Sequence, residues 1–166
     1  MFAAAITYYF VFVRTHVSDE APAAKALTPD EGVAAFTDME GNTLTLSDYF
    51  GTPLVVTSWA SWCPQCVTDL PTLSELAASY DSEELKVLAV NRAENKFTAE
   101  RFLNTLGNTE NIIIILDPDD HFFEAHEGYA MPETLVYDRR GNLVLHQRGE
   151  LRVDELQNKV EELISQ

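Results

Sequence analysis

An apolar run of strand length, Pro53 to Ala60 (PLVVTSWA), leads directly into Ser61-Trp62-Cys63-Pro64-Gln65-Cys66, and a segment of helical period follows. This junction constrains the fold more than any other stretch. So apolar a run reads as a central strand buried on both faces. Leu70, Leu73, Leu76 and Ala77 recur at helical spacing, so Pro64 to about Tyr80 reads as a helix. Pro64 suits the first helical position, where its missing N–H would have had no helical partner. Cys63 is thereby placed at a helix N-terminus, where unpaired N–H groups and the macrodipole favour an anion. Cys66 falls one turn inside the same helix, within bridging reach.

The 166 residues include only two cysteines. A bridge across so short a span closes almost no loop and adds little stability. A secreted fold stapled by disulfides carries more cysteines at wider spacings. The pair is therefore explained by reactivity, the thiolate being the reactive form. A zinc site is the competing reading, with His121 and His126 completing a nominal Cys₂His₂ set. However, 54 residues separate the two halves, and a compact zinc finger uses about 12–15. The histidines thus read as surface or helix-edge residues. Trp59 and Trp62 flank the strand end and read either as shields against water or as packing residues.

The remaining pattern is a hairpin followed by alternating strands and helices. Residues 33–38 and 43–46 read as strands around the turn Glu40-Gly41-Asn42, and Ser47 to Phe50 as one helical turn. Leu85 to Val90 and Asn111 to Leu116 read as strands. Thr98 to Leu106 reads as a helix closed by Gly107, and His121 to Glu127 as a short helix. Thr134 to Tyr137 and Leu143 to His146 form a second hairpin around Arg139-Arg140-Gly141-Asn142, and Val153 to Ile164 is an amphipathic helix. This order demands an α/β fold, with a mixed central sheet covered by helices on both faces.

The formal net charge of −16 repels phosphate backbones and excludes nucleic acid as a partner. Met1 to Val13 carries no charged side chain, and Arg14 follows. Thirteen helical residues reach about 20 Å, short of a hydrocarbon core of about 30 Å. Residues 1–17 are read first as a membrane anchor, then as a signal-peptide core, and last as a core helix. Residues 18–32 are read as a linker, and 33–166 as the folded domain.

Ser58-Trp59-Ala60-Ser61-Trp62-Cys63-Pro64-Gln65-Cys66 resembles the active-site segment of the thioredoxin superfamily, in its TlpA/ResA-like branch, which includes the CcmG (DsbE) proteins of cytochrome c maturation. Asp38 to Asn42 with Leu46-Ser47-Asp48-Tyr49 resembles that branch's opening motif. Pro71 resembles the proline that kinks its active-site helix, and Gly128-Tyr129-Ala130-Met131-Pro132-Glu133-Thr134 resembles its G-x-x-x-P-E-T segment. The resemblance implies a thioredoxin-like three-layer sandwich with an added N-terminal β-hairpin. It implies a cis Met131–Pro132 bond facing the cysteines. It also implies a protein disulfide substrate, such as an apo-cytochrome c, docked against Trp62, Pro64, Met131 and Pro132. Cys63 would be the nucleophile and Cys66 the resolving thiol. No cofactor is implied beyond the Cys63–Cys66 disulfide itself. Recharging would come from a membrane dithiol donor, outside the cytoplasm.

Two positions depart from the relatives. Thr57 stands where thioredoxin has a buried Asp, and Asp69 where the branch often has Glu. Asp69 and, behind it, Glu133 are the candidates to relay the proton that Cys66 loses. Two other functions compete with disulfide exchange. A peroxiredoxin-type peroxidase requires Pro and Thr where this chain has Val56 and Ala60. A non-catalytic binding module does not require two intact cysteines.

Overall fold

The computed structural model describes residues 34–166. The N-terminal apolar segment and the linker read from the sequence lie outside the described residues. Seven strands form one mixed sheet: β1 (Phe36–Asp38), β2 (Thr43–Leu44), β3 (Leu54–Trp59), β4 (Lys86–Arg92), β5 (Ile113–Asp117), β6 (Glu133–Tyr137) and β7 (Leu143–Arg148). Their spatial order is β2-β1-β5-β4-β3-β6-β7. Strands β3, β4 and β5 run parallel, whereas β6 pairs antiparallel with β3, and β1 with β5. Among the described residues, four helices accompany the sheet: α1 (Cys66–Ala78), α2 (Lys96–Leu103), α3 (His121–Ala125) and α4 (Val153–Ile164). A 3-10 turn at Leu46–Tyr49 precedes β3.

Strand alternation sorts the core into two layers. Val55 and Trp59 of β3, Val87 and Ala89 of β4, and Val136 of β6 face Leu70 and Leu73 of α1 and Leu156, Val160 and Leu163 of α4. Leu54, Val56, Leu88, Val90, Leu135 and Tyr137 face the other way, onto Leu46 and onto Phe122 of α3. Both faces of the central strands are therefore covered, as a continuous apolar run requires.

The two hairpins share one turn chemistry. Asp38 and Asp138 each accept from the amides of the residues two and four positions on, and from the Asn side chain four on. Gly41 and Gly141 take positive φ in these turns. At Gly141 a Cβ would also lie 2.6 Å from the Phe50 ring, which would have to shift.

Three expectations need correction. Regular helix α1 starts at Cys66, not Pro64, because Cys63, Pro64 and Gln65 form a turn of i→i+3 bonds that runs into it. Helix α2 starts earlier, at Lys96, because the Asn95 side chain accepts from the Thr98 amide and caps it. It also ends at Leu103, so Gly107 does not close it. Of the two readings of Trp59, packing holds: it is fully buried and stacks on Phe102 at 5.5 Å.

Candidate active site

Strand β3 delivers the cysteine turn at its C-terminal end. Ala60 accepts from the Cys63 amide at 3.1 Å and starts the turn. A carboxylate from the next strand connection holds it from the side. Glu94 accepts from the Ser61 amide at 2.9 Å and the Ser61 hydroxyl at 2.5 Å, and also binds the Asn91 amide group. Sequence reasoning missed Glu94. Its only local signal is a charged residue just past a buried strand.

Cys63 and Cys66 are joined by a disulfide, with Cα atoms 5.4 Å apart. The Cys66 amide donates to Cys63 Sγ at 3.3 Å. The Cys66 N–H at the helix start thus reaches the sulfur, so a donor faces Cys63 despite the later start of α1. Such a donor suits a thiolate at Cys63, the form in which a cysteine reacts. Both cysteines are 1% exposed, while Trp62 beside them is 60% exposed. Pro64, Gln65 and Val67 complete an exposed rim.

The Met131–Pro132 bond is cis. Antiparallel pairing sets Ser58 opposite Glu133, so Pro132 lies next to the end of β3 from which the cysteine turn departs. Met131 packs against the apolar cluster that contains both cysteines. The Pro132 carbonyl accepts from Gly149 at 2.8 Å. Met131 makes no backbone hydrogen bond among the described residues. Thr57, in the place of the buried Asp of thioredoxin, is satisfied by the Glu133 carbonyl and the Thr134 hydroxyl.

The two candidate relays stand in different places. Asp69 is buried one turn beyond Cys66, on the same helix. Burial raises its carboxyl to about 6, helped by the negative charge of Glu150 and opposed by the Thr68 hydroxyl and the Leu151 amide. Glu133 is fully buried on the sheet face opposite the cysteines. Burial alone would raise it, but the amides of Ala130 and Tyr129 and the His146 ring outweigh that and hold it below the usual range. The structure therefore brings Cys63, Cys66, Asp69, Trp62, Pro64, Met131 and Pro132 to one end of the sheet, while Glu133 sits at that end on the opposite face.

A thioredoxin-like fold with a Cys-x-x-Cys disulfide at a strand-to-helix junction and a cis-proline beside it defines a thiol–disulfide oxidoreductase of the TlpA/ResA-like type. Residues 16–164 match the Redoxin family model, and the chain belongs to the Redoxin family. It is 27% identical over 155 residues to the thiol-disulfide oxidoreductase ResA of Geobacillus kaustophilus, covering 93% of this chain and 86% of that protein. The structure of MTB DsbF superposes with a TM-score of 0.73 at 24% identity, over 82% of this chain and 98% of that one. The exposed lipoprotein thioredoxin Etrx1 of Streptococcus pneumoniae gives a TM-score of 0.68 at 25% identity, over 78% and 98%.

Proposed function

We propose that the chain is a reductant of protein disulfides that works outside the cytoplasm, with an apo-cytochrome c as one class of substrate. The observation that carries this reading is the Cys63 sulfur under the Cys66 amide, beside the cis-proline loop. The extracytoplasmic setting is supported by the apolar start of the chain and by the relatives, among them an exposed lipoprotein. Among the described residues, no helix is long and apolar enough to cross a membrane, so attachment would rest on residues 1–17. The redox-active group is the disulfide itself, and no added cofactor is required.

The reaction begins with reduced protein. The Cys63 thiolate attacks one sulfur of the substrate disulfide; a mixed disulfide forms and the other substrate sulfur leaves as a thiolate that takes up a proton. Cys66 then loses its proton and attacks Cys63 Sγ. The second substrate sulfur leaves, and the Cys63–Cys66 bridge remains. Two electrons pass to the substrate, and a membrane dithiol donor returns them. Asp69 takes the Cys66 proton, its raised carboxyl suiting it to exchange protons near neutral pH. Trp62 and Pro64 contact the partner from one side. From the other, the open Met131 backbone pairs with an extended segment of it, as an added strand.

Insulin reduction by Cys63→Ser and Cys66→Ala variants tests the mechanism. The first should lose all activity, and the second should accumulate a covalent adduct that dithiothreitol releases. Full activity of Cys63→Ser would end this reading. Rapid turnover of hydrogen peroxide would favour a peroxidase instead.

A further inference from the structure

On the sheet face away from the cysteines, three side chains from three elements converge. His126 follows α3, Glu133 opens β6, and His146 lies on β7. Glu133 Oε2 stands 2.6 Å from His146 Nε2 and 3.4 Å from His126 Nε2. All three potential ligand atoms lie within 4.8 Å of one another. The cluster is nearly dry: Glu133 is fully buried and His126 is 7% exposed.

The surroundings orient each group. His126 Nδ1 lies 2.6 Å from the Phe122 carbonyl. A carbonyl can only accept, so Nδ1 donates to it, and Nε2 is turned toward Glu133 Oε2. The other carboxylate oxygen, Oε1, is fixed by the Tyr129 and Ala130 amides, both at 2.8 Å. Backbone-anchored imidazole and amide-anchored carboxylate are the outer contacts that metal ligands use. Atoms bound to a tetrahedral ion at about 2.0–2.1 Å lie roughly 3.3 Å apart, which the His126–Glu133 spacing meets. The His146 contact is shorter and would open by well under an ångström. Arg148 Nε stands 3.8 Å from the same oxygen, beyond hydrogen-bond reach, with its guanidinium over the Tyr129 ring.

We propose that His126, Glu133 and His146 form a binding site for a borderline divalent transition-metal ion of the Zn(II) class, separate from the cysteine pair. Two imidazoles and one carboxylate suit such an ion and leave one position open. The sequence paired His126 with His121 and the cysteines as the nominal zinc set. In the structure His121 is exposed near Asp119, and His146 takes its place. The ion would tie α3, β6 and β7 together around residues 126–133, the segment that carries Met131 and Pro132. The inference stands on this geometry and does not depend on the direction of electron flow.

The test is titration of the oxidised full-length chain with Co(II) alone. With the cysteines locked in their disulfide, thiolate ligation is blocked. One Co(II) per chain should bind, with visible d–d bands and no sulfur-to-metal charge transfer. His126→Gln and His146→Gln should each weaken binding at least about tenfold, and His121→Gln should leave it unchanged. In the unsubstituted protein, the ring protons of His126 and His146 should show paramagnetic shifts, a readout that needs no variant to fold. Absence of saturable binding, binding retained by both variants, or a proton shared within the cluster with no Co(II) uptake would each overturn the proposal.

Discussion

Asp69 and Glu133 are both buried carboxyls near the redox end, and the protein treats them in opposite ways. Asp69 Oδ2 has no hydrogen-bond partner, and the charge that acts on the group is another acid, Glu150. Glu133 accepts two amides on one oxygen and an imidazole on the other. Desolvation acts on both. Only where the donors outweigh it is the charged form favoured, so one carboxyl moves up and the other down. An unsatisfied carboxyl can exchange protons, and a satisfied one holds structure.

The contrast can be broken from either side. The largest effect should come from Glu133→Ala. That change strands two amides and the His146 ring and should lower stability by about 3–5 kcal/mol, measured by urea unfolding. A loss below about 1 kcal/mol would mean that Glu133 anchors nothing.

Asp69→Asn should act on rate and on pH dependence. Resolution of the mixed disulfide should slow about tenfold or more, with the adduct detectable in quenched reactions. Because the folded carboxyl sits above its usual 3.8, the folded state binds more protons than the unfolded one between about pH 4 and 6. Stability should therefore fall as pH rises through that window and level off above it. Allowing for partial screening by solvent, the loss is on the order of 1–3 kcal/mol. Asp69→Asn should flatten that slope, and an unchanged slope would assign it to another group.

The smallest effect should follow Glu94→Gln, which keeps the shape but weakens two charge-assisted bonds to Ser61. A loss of about 1–2 kcal/mol in stability is expected, with a larger share in unfolding of the cysteine turn, seen as faster amide exchange at Ser61 and Cys63. If exchange there does not change, the turn is held by its backbone alone.

Local physics was legible in the sequence. Helix α4 runs over Val153–Ile164, as its amphipathic period predicts, and both Asp-x-x-Gly-Asn turns fall where glycine and asparagine placed them. The strands lie within a few residues of their predicted bounds. The redox pair is legible from its own short segment, whereas the cis bond at Pro132 follows only from the resemblance to the TlpA/ResA-like branch. What escaped depends on distance along the chain. Glu94 reaches Ser61 across 33 residues, and His126, Glu133 and His146 meet only once β6 and β7 have paired. The burial of Trp59 also needs a tertiary partner, Phe102. The start of α1 was misjudged because a 3-10 turn and a helix share the same residue preferences at their junction.

Strand β3 joins two partners of different origin: β4, the next strand in the chain, and β6, whose Glu133 lies 75 residues beyond Ser58. A ribosome-bound fragment ending before β6 would hold both sulfurs on an incomplete scaffold. Closure of that long loop brings the second half of the reaction centre into place, so chemical competence is a property of the finished topology rather than of the peptide that bears the thiols.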